Sequence, residues 1–411
     1  MKLSIISSAI LCTLAVTGLV SCGSDSDGTT SADATSASST SGVITGFGSV
    51  YINGVEYETD SASVTIDGSQ SAETDLGVGD VCALQGSVNA DGVTGTATAV
   101  TCTDELEGYV LEVSLTNGIG TMNVMGQTVT ITADTVFDSD TTASIDLIVP
   151  NDIVEVHGYP DGTGNILATR IETKNAATDV EVKGLISNLD LIPLTFNLGT
   201  LLVDYSSANV ETILANDLYV EVKTEIALIG DVATGFTLTA SKVEIEEDGS
   251  LDIDGDEGED LEVQGVVSNI TPTSFDFNGT TVLFASLETD DDFDLASLED
   301  GMIITVEGYI DANGNFVVEE IEEDHASENE VEGLVTGTTD TTITVSVNSV
   351  DMTFSVNNET SMIDEQDESV TPLFYFSLTD IATGDFVEID YYTDDIGNKI
   401  ATKIERDDSP S

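Results

Sequence analysis

The sequence predicts an all-β chain: a tandem array of five small five-stranded barrels behind an export signal and a flexible tether. Three observations predict it. Val, Ile and Thr fill short segments in which apolar and polar residues alternate, the pattern of strands with one face inward. Gly- and Asn-containing turn signals separate those segments. The same order of strands and turns recurs five times, with weak identity between copies.

Residues 1–21 read as a signal peptide. Lys2 is followed by an apolar stretch from Leu3 to Val16, too short and too weakly flanked for a stable membrane span. It ends in Leu19-Val20-Ser21-Cys22, which resembles the lipobox of bacterial lipoproteins, where the cysteine is acylated and becomes the mature N-terminus. Several acyl chains on Cys22 would hold the protein stably to a membrane. Gly23 stands where Asp would signal inner-membrane retention in the enterobacterial sorting rule, so the expected location is the outer membrane, on either face. Residues 22–41 are the lipidated tether, with no large apolar residue after Cys22.

The repeats span 42–103, 104–174, 179–246, 261–324 and 328–406, with an acidic linker at 247–260. Each opens with a strand built around a glycine: Gly42, Gly108, Gly184, Gly265 and Gly333. A hairpin follows, turning at Asn53-Gly54, Met125-Gly126, Leu198-Gly199, Asn278-Gly279 and Asn348-Ser349. Asn-Gly supplies the two positive φ angles of a type I′ turn. A polar connection then leads to an acidic or amide turn and a fourth strand, as in G-D-V-C-A-L-Q-G from Gly79 and N-D-I-V-E-V-H-G from Asn151. The last strand reads A-T-A-V-T at Ala97, A-T-R-I-E at Ala168, A-S-K-V-E at Ala240 and A-T-K-I-E at Ala401. Five strands with a connection between the third and fourth suit a barrel of the OB type. A small open sandwich is the alternative. Closure of each barrel is expected to protect strand edges from pairing between neighbouring units.

The run G-V-I-T-G-F-G-S-V-Y-I-N-G-V-E-Y-E-T from Gly42, with L-G-V-G-D-V from Leu76 and the A-T-A-V ending, resembles a repeat family of bacterial lipoproteins catalogued as domain of unknown function 5666. The match is best from Gly42 to about Cys102, and the later units share mainly the strand-and-turn order. The resemblance implies an exported array of small β-domains. It brings no catalytic residue and no ligand.

The charge is extreme, 9 basic against 77 acidic residues and a net of −68. Lys2 is the single charged residue ahead of Cys22, so the imbalance belongs to the mature chain. Nucleic-acid binding needs a basic footprint, so that class is excluded. The charge reads first as solubility, and second as attraction of cations. Of four cysteines, Cys12 leaves with the signal and Cys22 takes the lipid, which leaves Cys82 and Cys102 as one expected disulfide of an exported protein. If the last two strands of the first unit pair as a closing hairpin, the start of one lies beside the end of the other.

No catalytic residue is assigned and no cofactor is expected. His157 occupies a strand position that other units fill with Gln85, Thr224 or Glu307, as a solvent-facing site does, and His325 lies in an acidic link. Asp252, Asp254 and Asp256 alternate as in a calcium loop, and are the weak metal candidates. Glu257 and Val263 occupy the places where an EF-hand needs Gly and Glu, so a solvated linker is the stronger reading. Tyr109, Tyr159 and Tyr309 are expected to cover barrel ends. The function expected is a membrane-anchored envelope lipoprotein with a structural or binding role. Its partners beyond the membrane stay open among an envelope protein, a glycan and a divalent cation. A calcium-responsive adhesion or cation-binding module is one alternative. An envelope hydrolase is the other, disfavoured by the absence of any catalytic motif.

Overall fold

The computed structural model describes residues 36–138, 144–161, 164–174, 180–210, 213–224, 229–231, 235–245, 260–278, 280–284, 287, 295–310, 316–327, 329–364, 376–394 and 396–407. The chain is all-β, built from small five-stranded barrels in tandem.

The first module shows how a barrel closes. Its opening strand Ser36–Phe47 pairs antiparallel with Val50–Ile52, and that with Val55–Glu58. Val55–Glu58 runs parallel to the last strand Thr94–Cys102. The last strand pairs antiparallel with the fourth, Val81–Val88, which returns to the first. The ring order first-second-third-fifth-fourth, with one parallel pair, is that of an OB barrel. The second and fifth modules close the same way through parallel pairs of Gln127–Ile131 with Asn165–Lys174 and of Val350–Ser355 with Lys399–Asp407. In the third module the last strand is split. Gly235–Thr239 pairs with the third strand and Lys242–Ile245 with the fourth. In the fourth module the described ladders run third-second-first-fourth-fifth.

Local chemistry explains the repetition. Asn53 and Gly54 have φ of 49° and 74°, Met125 and Gly126 50° and 88°, as the mirror-image hairpin turn requires. Between third and fourth strands sits a 3-10 turn, at Glu73–Asp75, Ile145–Leu147, Leu295–Ser297 and Leu378–Asp380. The acidic turn that follows has a fixed job. Carboxylates of Asp80, Asp152 and Asp385 each accept the backbone N–H three residues earlier, from Gly77, Val149 and Ala382. The residue before the acid takes positive φ, which selects Gly79, Asn151 and Gly384.

Cores form inside the barrels. Ile44, Ile52, Tyr57, Leu84 and Val100 fill the first. Phe275, Phe277 and Ile304 fill the fourth, and Ile343, Phe354 and Ile389 the fifth. The second and third modules share one continuous core that includes Met122, Ile171, Phe196 and Val220.

That sharing marks a departure from the sequence expectation about edges. The opening strands overrun their barrels, and the overrun pairs between modules. Ser38–Ser41 runs parallel to 260–263 of the fourth module. Leu106 and Glu107 pair antiparallel with Val182 and Glu181 of the third. The strand at the start of the first module begins at Ser36, ahead of Gly42, within the stretch expected to be tether. Two partners, Val81–Val88 and the fourth-module strand, satisfy its backbone groups, which outweighs the low strand propensity of Ser and Ala. The described residues accordingly form one unit.

Candidate functional site

Apart from the core shared by the second and third modules, polar contacts join the modules. Thr169 Oγ1 donates to Gly79 O at 2.7 Å and Arg170 Nη1 to Val78 O at 3.0 Å, joining the second module to the first. Lys403 Nζ donates to Ala133 O at 2.8 Å, joining the fifth to the second. Thr45 Oγ1 donates to Asn358 O at 2.8 Å, and Asn358 Nδ2 to Gly54 O at 2.9 Å, joining first and fifth. Gln264, on the opening strand of the fourth module, ties three modules with one side chain. Its Oε1 accepts Tyr159 Oη–H at 2.7 Å and Val43 N–H at 3.0 Å, and its Nε2 donates to Asp324.

Around Gln264 the first, second, fourth and fifth modules line a cleft of about 140 Å³, beside a side pocket of about 70 Å³ that shares Val43, Thr45, Gln264, Glu323, Asp324 and Glu359 with it. The larger space is large enough for several waters or a small ligand group. Asp134, Glu323, Asp324 and Glu359 line it, and Glu262 and Glu322 line the side pocket; neither lining contains Lys or Arg. His325 stacks on Tyr392 with ring centroids 4.3 Å apart, forming an aromatic wall.

Electrostatics follow from that lining. Burial lifts the Asp324 carboxyl to about 6, against the hydrogen bond from Gln264 and with repulsion from Glu359. Burial and the facing Glu307 push Glu262 up to about 8, against a hydrogen bond from Thr40. Burial and neighbouring Glu320 also raise Glu322. Carboxylates held together without basic partners favour either protons or an arriving cation. The cleft is therefore suited to positively charged groups, with Tyr392 and His325 able to face a cation's hydrocarbon or its charge.

The residues singled out from the sequence fall as follows. Cys82 and Cys102 lie opposite each other in the register of the closing hairpin, with Cα atoms 4.1 Å apart, and are joined by a disulfide. Cys22, Asp252, Asp254 and Asp256 lie outside the described residues. His157 is not solvent-facing. It is 2 % exposed, with Nε2 3.2 Å from Glu155 and 3.5 Å from Asp80 of the first module. Its outward strand face is covered because the first module packs there. The register also changes the equivalence: His157 opposes Arg170 as Lys223 opposes Lys242, so Lys223 rather than Thr224 is the third module's counterpart. Tyr159 reaches across to Gln264 instead of capping its own barrel, while Tyr109 packs half-buried against the shared core and Tyr309 is half-buried on the fourth strand of its module. Gln264, Asp324 and Glu359 were not legible as a site. The one signal was that Gln264 holds the place before the strand-opening glycine where Glu107 and Glu332 stand.

Barrels with OB topology, packed into one block around a polar cleft, define a modular β-protein. Within that class the chain belongs to the family described as Domain of unknown function (DUF5666), whose model matches residues 40–101, 107–172, 264–322 and 332–405. The third module follows the same strand order outside those matches. No curated protein matches the chain. Among solved structures, a multidomain protein with nucleic acid binding domains from Streptococcus pneumoniae aligns at 10 % identity over 56 % of this chain and 73 % of that one, with a TM-score of 0.13, too low to carry an argument.

Proposed function

We propose that the chain is an envelope lipoprotein, anchored to the outer membrane through Cys22, whose block of barrels is a binding scaffold for a small cationic ligand. The observation that carries the binding part is the central cleft: four modules contribute to it, six carboxylates line it and its side pocket, and no Lys or Arg does. Ligand sites occur preferentially at interfaces between domains, where a few placed polar groups give specificity. The anchoring part rests on the Leu19-Val20-Ser21-Cys22 motif.

Titration calorimetry with spermidine tests the binding part. Saturable binding is expected, weakened at least tenfold in Glu323→Gln/Glu359→Gln and by added salt. Equal heats for wild type and variant, or equal binding of a neutral oligosaccharide, would overturn it. Fatty-acid labelling tests the anchor: wild type should take label and Cys22→Ser should not.

A further inference from the structure

A second cluster of carboxylates lies at the junction of the first three modules and shares no residue with the central cleft. Strand register creates it. Glu172, Glu155, Glu107 and Glu181 stand directly abreast on four successive strands, the last belonging to the third module. Like charges opposite one another across strands repel, and this row is half-buried or buried. Asp104, from the link between the first two modules, adds another carboxylate from above. It is 3 % exposed. Its backbone N–H is held by Asp67 at 3.1 Å and its carbonyl accepts Lys183 Nζ, so its position is fixed from both sides. Its Oδ1 is buried with no hydrogen-bond partner.

The nearby cations are each shared among several carboxylates: Lys223 lies 2.7 Å from Glu181 and 3.1 Å from Glu221, and Arg170 is divided among Asp138, Asp80 and Glu172. Lys174 divides itself between Glu155 and Glu172. His157 is shared by Glu155 and Asp80. Lys183 sits 4.0 Å from Glu181 and gives its hydrogen bond to a carbonyl. An unpaired oxygen in a buried acidic cluster is costly unless something positive meets it.

We propose that Asp104, Glu107 and Glu155 form a calcium site at the junction of the first three modules, clamping the link between the first two to the second barrel. One oxygen from each lies within 4.8 Å of the others. Three points so spaced share a centre no more than about 2.8 Å from each, and small side-chain shifts reach the 2.3–2.6 Å of calcium–oxygen bonds. The donor set is all carboxylate, which selects a hard cation over zinc or copper. Carboxylates placed by strand register and by a link suit calcium, which accepts six to eight oxygens in flexible geometry, better than magnesium, which demands a near-ideal octahedron. Remaining coordination positions fall to water or to second carboxylate oxygens. The ion would neutralise the row at its centre and fasten the inter-module link to two strands of the second barrel.

The test is calcium titration of the full mature chain, followed by calorimetry and by thermal melting against NaCl at matched ionic strength. One saturable ion per chain and a melting temperature raised beyond the NaCl control are expected. Asp104→Asn should weaken binding at least tenfold, whereas Asp252→Asn/Asp254→Asn/Asp256→Asn should leave it intact. Unchanged affinity in Asp104→Asn/Glu107→Gln/Glu155→Gln, or calcium behaving as sodium does, would overturn the proposal. Crystals of the wild type soaked in calcium decide independently of any variant's folding: an anomalous peak among the three carboxylates supports the site, and its absence there refutes it.

Discussion

His157 makes the buried electrostatics measurable. Coulombic attraction to Asp80 and the hydrogen bond with Glu155, opposed by burial, raise its pKa from 6.5 to about 9. A histidine whose folded pKa lies above its unfolded value contributes stability that is fully present below pH 6.5 and is lost as pH rises through about 9. At 1.36 kcal/mol per unit, that interval corresponds to on the order of 3 kcal/mol. The variant His157→Gln should therefore be less stable than wild type at pH 6, and the gap should shrink by that order between pH 6.5 and 9.5. Raised carboxyls such as Glu262 and Glu388 also lose stability as pH rises, but they do so in both proteins and cancel in the difference. Glu155, held down to about 2 chiefly by its bond with His157 against the effect of burial, acts only below that window. Urea unfolding in EDTA from pH 5.5 to 10 measures the gap. Because the chain has only two histidines, imidazole NMR reads the titration directly, with His325 as internal comparison. A gap that stays constant across the window, or a His157 imidazole titrating near 6.5, would refute the reasoning.

Two further outcomes follow from the same structure. Replacing Cys82 and Cys102 with Ser should cost about 3 kcal/mol in the chain-entropy view, since the bond closes a loop of 20 residues; mass spectrometry of non-reduced peptides should show the crosslink, and two free thiols in exported protein would contradict it. Raising NaCl from about 0.01 M to about 0.1 M shortens the Debye length from about 30 Å to about 10 Å, so a chain of net charge −68 should melt higher in salt; a flat or falling melting temperature would show that repulsion does not limit stability.

The barrels were legible in the sequence because their determinants are local. Asn-Gly turns, alternating Val and Ile, and the acidic turn before the fourth strand each act within a few residues, and they recur. The meeting of the modules was not legible, because it depends on which outward faces become covered. His157 shows the difference. From sequence it occupies an outer position of its strand, and it does so in the structure, but Asp80 of another module lies against it. The extension of the first strand back to Ser36 escaped for the same reason, since its second partner is more than 200 residues away in the chain. The cleft escaped too, because Val43, Tyr159, Gln264 and Asp324 share no local pattern and converge only through packing.

Register also explains why the repeats place one cation site where they carry several acidic rows. The residue before the strand-opening glycine faces the third residue of the fourth strand, and that faces a residue near the end of the last strand. This gives Glu107, Glu155 and Glu172 in the second module, and Glu332, Glu388 and Glu405 in the fifth. In the fifth module Glu330, Glu332 and Glu388 also gather closely, yet Glu330 and Glu332 remain open to solvent, where water and salt screen them. Burial lifts the Glu388 carboxyl to about 7, with repulsion from Glu405 and Glu330, so a proton meets that row's need. In the second module the neighbouring barrels close over the row and bring in Asp104 with an oxygen that meets no donor. The same repeat position is thus largely open to solvent in the fifth module, whereas in the second it lies half-buried beneath Asp104.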